Sequence, residues 1–116
     1  MATIKDSQRQ ERSLAKEIGG SVNAGSGNGW VRKGDVRSEQ ELWECKITSA
    51  KSYSLKEMDL RTVVNQATVD GRIPVFLVEF LKSGDSYVIL TKDDYMEMRE
   101  RYFGNETENR IADMVQ

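Results

Sequence analysis

ELWECKIT, Glu41 to Thr48, alternates so regularly that it reads as one β-strand with two unlike faces. Leu42, Glu44, Lys46 and Thr48 fall on one face and Trp43, Cys45 and Ile47 on the other, because strand side chains alternate. The stretch IPVFLVEFL, Ile73 to Leu81, is apolar on both faces except at Glu79, as expected of a central strand covered on both sides. Between them, Ser54-Leu55-Lys56-Glu57 has the form of a capping box, so a helix is predicted from there to about Val69. Leu55, Met58, Val63 and Ala67 line its apolar side, and Gly71 ends it.

The same reading extends toward both ends. Gln8 to Ile18 has a helical stripe of Leu14, Ala15 and Ile18, with Ser7 as its cap and Gly19-Gly20 as its stop. Ser21 to Ala24 reads as a short strand, Gly25-Ser26-Gly27-Asn28-Gly29 as a loop, and Val31 to Val36 as extended chain. On the other side, Lys82 to Asp85 is a turn that returns the chain as the strand SYVIL, Ser86 to Leu90, making a hairpin. Thr91 caps a last helix, Lys92 to Tyr102, which Gly104-Asn105 should end. The order α-β-β-β-α-β-β-α describes an α/β domain: a central mixed β-sheet of about five strands flanked by helices. Residues 1–116 fit a single domain, with 1–6 and 106–116 expected as flexible or dimer-contacting tails.

Composition narrows the chemistry. Charged residues are 31% and hydrophobic ones 38%, the balance of a water-soluble globular chain, and no apolar run approaches the ~20 residues of a membrane span. With no apolar leader at the N-terminus, an intracellular location is expected. There is no histidine and a single cysteine, Cys45. That excludes histidine-based triads, histidine–zinc centres and multi-cysteine metal sites. Hydrolytic chemistry would have to come from carboxylates, lysine, hydroxyls and a hard, oxygen-bound metal ion. Net charge is −2, yet residues 1–56 hold ten Lys/Arg against seven Asp/Glu, whereas residues 57–116 hold seven against twelve. The basic excess therefore lies in the half that carries the candidate site.

That site is Gly34-Asp35-Val36 followed by Glu44-Cys45-Lys46. Glu44 and Lys46 share a strand face, and a neighbouring strand ~4.8 Å away can bring Asp35 to the same point. Two carboxylates and a backbone carbonyl form half a shell for Mg²⁺, with Mn²⁺ as its substitute. Lys46 is placed to orient or deprotonate a water and to stabilise developing negative charge. Glu11 is a candidate for a further carboxylate, Ser26 for a hydrogen bond to the scissile phosphate, and Gln66 for a phosphate or water-shell contact. The competing reading makes Asp35, Glu44 and Lys46 solvated strand charges. An apolar neighbouring strand argues against it, since a sheet covered on both sides gives inward charges a cost. Cys45 faces away from Glu44 and is expected in the core.

On these residues the chain resembles the PD-(D/E)XK nuclease superfamily, and within it the compact Holliday-junction resolvases of archaea and phages. The resemblance spans residues 8–90: a helix with Glu11, the GSGN loop with Ser26, the acid Asp35, the triplet Glu44–Lys46, a helix with Gln66-Ala67, and the strand VFLVEF. It departs at Gly34, which stands where the motif has its proline. The resemblance implies a restriction-endonuclease-like fold, functional roles for Glu11, Ser26, Asp35, Glu44 and Lys46, and Mg²⁺-dependent hydrolysis of branched DNA, the four-way junction foremost. Alternatives are a nickase or repair endonuclease on non-junction DNA, and a DNA-binding protein that keeps the fold without catalysis. Trp30, Tyr53, Arg32, Lys33, Arg37, Lys51 and Lys56 are candidates for a DNA-facing surface. Two symmetric nicks would call for a homodimer. A phage-encoded enzyme acting in its host cell fits the same picture.

Overall fold

The computed structural model describes residues 1–23 and 34–115. The elements run α1 (Ile4–Ile18), β1 (Ser21–Val22), β2 (Val36–Arg37), β3 (Glu41–Thr48), α2 (Glu57–Asp70), β4 (Ile73–Phe80), β5 (Asp85–Ile89) and α3 (Lys92–Val115). They form one mixed sheet in the order β1-β2-β3-β4-β5. Only β3 and β4 are parallel, in register from Glu41↔Ile73 to Thr48↔Phe80. The chain reaches β4 through α2, because parallel strands need a crossover.

The two faces of this sheet have separate cores. On one, Leu14 and Ala15 of α1 bury Val36, Trp43, Val75 and Leu77, with Cys45 and Ile73 at the margin. On the other, Val63 of α2 packs on Phe76 and Val78, with Tyr53, Leu60 and Phe80 around them. Pro74 to Val78 are all buried, so β4 is covered on both sides as its apolar run requires. Each such side chain contributes about 1.5–3 kcal/mol when withdrawn from water.

Element limits differ from the sequence-based expectation where local geometry overrides pattern. α1 begins a turn early because Thr3, not Ser7, caps it: Thr3 Oγ1 accepts from the Asp6 N–H at 3.2 Å and Asp6 Oδ2 accepts from the Thr3 N–H at 2.9 Å. α2 starts at Glu57 with extended Lys56 as its cap and no side-chain capping bond, so Ser54–Glu57 is not a capping box. Just before these residues, Tyr53 packs on Phe76 of the sheet. Met58 is exposed rather than inward. Thr91 Oγ1 does cap α3, accepting from the Asp94 N–H at 3.1 Å. That helix runs through Gly104 to Val115, since one interior glycine costs only about 1 kcal/mol among good helix formers.

α1 turns into β1 through Gly19, at φ +65°, and Gly20. A Cβ at Gly20 would overlap the carbonyl oxygen of Arg37 on β2, a backbone atom that cannot swing aside. Gly20→Ala is therefore expected to lower stability by about 2 kcal/mol or more in urea unfolding, within the range of other overpacking substitutions. Gly71→Ala meets no neighbour, and only its φ of +70° opposes it.

Candidate active site

The geometry of the site starts from where β2 stops. β2 pairs with β3 only at Val36↔Trp43 and Arg37↔Leu42. One residue earlier, Asp35 continues toward β3 in two bonds: its N–H donates to the Trp43 carbonyl at 2.8 Å, and its Oδ2 accepts from the Cys45 N–H at 2.8 Å. The Asp35 carboxylate thus takes the place of the next strand residue on β3. An extended residue turns its N–H and C=O the same way, so the Cys45 carbonyl faces this edge as well.

Glu44 and Lys46 project from β3 on the α2 side, beside Phe76 and Val78 of β4. The Asp35 and Glu44 carboxyls lie close enough for each to act on the ionisation of the other. Burial holds Asp35 above the ordinary carboxylate range, against the pull of the Cys45 N–H and of Lys46. Burial, and then the Asp35 charge, raise Glu44. Glu11 of α1 is raised by burial and by Asp35, which places it toward the same cluster from the other face. Lys46 Nζ lies 3.5 Å from Glu44 Oε1. Burial works against its charge, but Glu44, Tyr53 and Asp35 outweigh burial and keep the ammonium more firmly protonated than a free lysine.

Three half-buried acids that all resist ionisation, with one lysine among them, form a locus a hard cation would relieve. Among the described residues no set of three or more His, Cys, Asp or Glu side chains closes into a ready-made cage. The donors that fit an oxygen-seeking divalent ion are Asp35, Glu44 and the Cys45 carbonyl, with Glu11 farther out. That is an open half-shell, which leaves positions for waters and a phosphate oxygen. Burial pushes the Cys45 thiol strongly upward, so it stays neutral and belongs to the core.

The remaining sequence candidates fall as follows. Ser26, Trp30, Arg32 and Lys33 lie outside the described residues. Gln66 is half-buried on α2, on one helical stripe with Asp59 and Asp70. Arg37 is ion-paired with Asp70, which Arg72 also holds at 2.5 Å, so it ties β2 to the end of α2. Lys51 and Lys56 are exposed beyond β3. Glu79 is bound by Arg9 of α1 at 2.6 Å and takes no part in the site.

Two positioning residues escape the sequence reading. Gln10, 3% exposed, donates from Nε2 to the Lys46 carbonyl at 2.8 Å and seats α1 on β3, the strand that carries Glu44 and Lys46. Its only trace in the sequence is a polar residue one turn before Leu14. Asn23 is buried, donating from Nδ2 to the Gly34 carbonyl at 2.9 Å and from its backbone N–H to the Asp35 carbonyl at 2.8 Å. Gly34 itself has φ +75°, and a Cβ there would lie 2.7 Å from Leu42 Cδ1 and 3.1 Å from the Trp43 carbonyl. Proline, fixed near −65°, cannot take that conformation, whereas glycine can. Beside Glu11 a cleft of about 790 Å³ opens between the first turns of α1 and Val22, Asn23 and Ile47.

No protein-family model and no curated protein matches the chain. The site's energetics are nonetheless open to direct test. Carboxyls raised in the folded state contribute stability that is complete below their unfolded values, near pH 4, and is lost as pH rises through the folded ones. Without metal, the contribution of these three carboxyls to stability should therefore fall from about pH 4 toward neutrality. Asp35→Asn and Glu44→Gln should each raise the metal-free Tm at pH 7, by about 2–5 °C. Mg²⁺ should raise the wild-type Tm and leave both variants unmoved. Calorimetric scans across pH, with and without Mg²⁺, check both signs.

Proposed function

We propose that this protein is a Mg²⁺-dependent DNA endonuclease of the PD-(D/E)XK type, acting on branched DNA, with the four-way junction as its substrate. The observation that carries the reading is the convergence on β3 of the half-buried Asp35, held by the Cys45 N–H at 2.8 Å, and Glu44, with Lys46 Nζ 3.5 Å from Glu44 Oε1 on the same strand face. A solvated surface pair has no reason to be withdrawn from water with its charges opposed. Bound at this half-shell, Mg²⁺, or Mn²⁺ in its place, would polarise the phosphate and acidify a coordinated water.

The chain's own groups supply the rest. Asp35, fixed by the Cys45 N–H, and Glu44 on the neighbouring strand hold the cation side. Lys46, kept protonated by the acids around it, serves as a charge on the phosphate side and orients the attacking water; its protonation disfavours the role of base. Glu11 adds negative potential from the α1 side, next to the cleft between α1 and Val22, Asn23 and Ile47. Recognition of a junction through its shape and phosphates requires no base-reading module. Ser26, Arg32, Lys33, Lys51 and Gln66 remain candidates for DNA contacts on this reading.

We also propose that it acts as a homodimer inside a cell, in the setting of a phage-encoded enzyme. Support for the dimer comes from α3, which leaves Tyr95, Met96, Met98 and Tyr102 exposed, and from β5, whose outer edge is unpaired in the sheet. No helix among the described residues is long and apolar enough to cross a membrane.

On a synthetic four-way junction with saturating enzyme and Mg²⁺, Asp35→Asn and Glu44→Gln should abolish nicking and keep binding. Lys46→Ala should slow it about 10²-fold or more, with no rescue by Lys46→Arg. Ca²⁺ should support binding with little cleavage. Full activity in excess EDTA, or cutting of linear duplex as fast as of junctions, would sink the mechanism or the substrate respectively. Sedimentation at cleaving concentrations should give the mass of two chains, and a monomer would rule out the dimer.

A further inference from the structure

Tyr53 lies in the connection between β3 and α2, and its ring settles on the sheet next to the EXK residues. Its centroid is 6.4 Å from that of Phe76, the β4 partner of Glu44, and it belongs to the cluster of Phe76 with Val78, the partner of Lys46. The ring is thus anchored on the two side chains of β4 that flank Glu44 and Lys46. Its phenol is close enough for the Lys46 ammonium and the Glu44 and Asp59 carboxylates to act on it. Residue 53 is only half-buried, and among the described residues its hydroxyl has no hydrogen-bond partner. A tyrosine held by its ring with a donor left over is a group positioned for something outside the chain.

We propose that the Tyr53 hydroxyl is a phosphate-binding group of the site, donating to a non-bridging oxygen of the substrate backbone beside Lys46. This rests on the nuclease reading above. The site then has two halves: the carboxyls of Asp35 and Glu44 face a cation, and the ammonium of Lys46 with the phenol of Tyr53 faces an oxyanion. A hydroxyl is suited to this place because it adds a donor without a further charge against the buried acids.

The test is Tyr53→Phe, which keeps the ring on Phe76 and removes only the oxygen, set beside Tyr53→Leu, which loses the ring. Tyr53→Phe should leave the Tm unchanged within about 1 °C, weaken junction affinity in EDTA about three- to tenfold, and slow single-turnover cleavage in Mg²⁺ about 10-fold or more, the scale of one hydrogen bond to a charged partner. Tyr53→Leu should in addition lower the Tm. If Tyr53→Phe binds and cuts within twofold of wild type while the wild type cuts well, the proposal is overturned and the nuclease reading stands. If Tyr53→Phe melts as early as Tyr53→Leu, the hydroxyl is structural and the proposal is overturned. A wild type that cuts no DNA overturns the nuclease reading and this proposal together.

Discussion

The parallel pairing of β3 with β4 is the constraint on which the molecule depends. Once Glu41 to Thr48 lie in register against Ile73 to Phe80, the pleat leaves no choice about where side chains go. Trp43 and Cys45 go to the α1 side, and Leu42, Glu44 and Lys46 to the α2 side. A slip of one residue would put Glu44 and Lys46 beneath α1 and Trp43 in the α2 layer. β4, apolar on both faces except at Glu79, opposes that from both sides, since each face already has a helix packed on it. The strand that builds the core is thus also the one that aims the site.

The site sits where this order is interrupted. β2 pairs for only two residues, and the Asp35 carboxylate completes the edge of β3 by accepting from the Cys45 N–H. A backbone donor is satisfied, and a carboxylate is drawn to within reach of Glu44. The result is unfavourable electrostatics held in place by favourable packing. Val36, Leu42 and Trp43 are buried on either side of the acids, and Gln10 fastens α1 to the EXK strand. Natural proteins tolerate such local conflict where function needs it, because the surrounding structure determines the geometry more strongly than the conflict opposes it.

Glycine has a specific part in that determination. Gly34 occupies a left-handed conformation with Leu42 and the Trp43 carbonyl against its Cα, and Gly20 abuts the Arg37 carbonyl. Both lie where the chain enters the sheet's first two strands, and both let backbone approach backbone more closely than a Cβ permits. Arg37 and Arg72 close the far end of β2 by sharing Asp70, so the short strand is held at both ends.

Much of this is legible in the sequence by itself. Period-two alternation in Glu41–Thr48 and the apolar run from Ile73 determine the strands, their faces and the α/β class, because burial on a pleat acts directly on residue order. The absence of histidine narrows the chemistry, and the spacing of Asp35, Glu44 and Lys46 makes these residues its candidates. What only the tertiary structure decides involves residues far apart in the chain. The capping of α1 by Thr3, the exclusion of Ser54–Lys56 from α2, and the passage of α3 through Gly104 each turn on differences of about 1 kcal/mol that local pattern does not resolve. The bond of Asp35 to the Cys45 N–H beside Glu44, the approach of Glu11 from α1, the seating of Gln10 on Lys46 and the placing of Tyr53 on Phe76 arise from folding distant segments onto one sheet. No periodicity encodes them, because a hydrogen bond across 36 residues leaves no spacing in the chain.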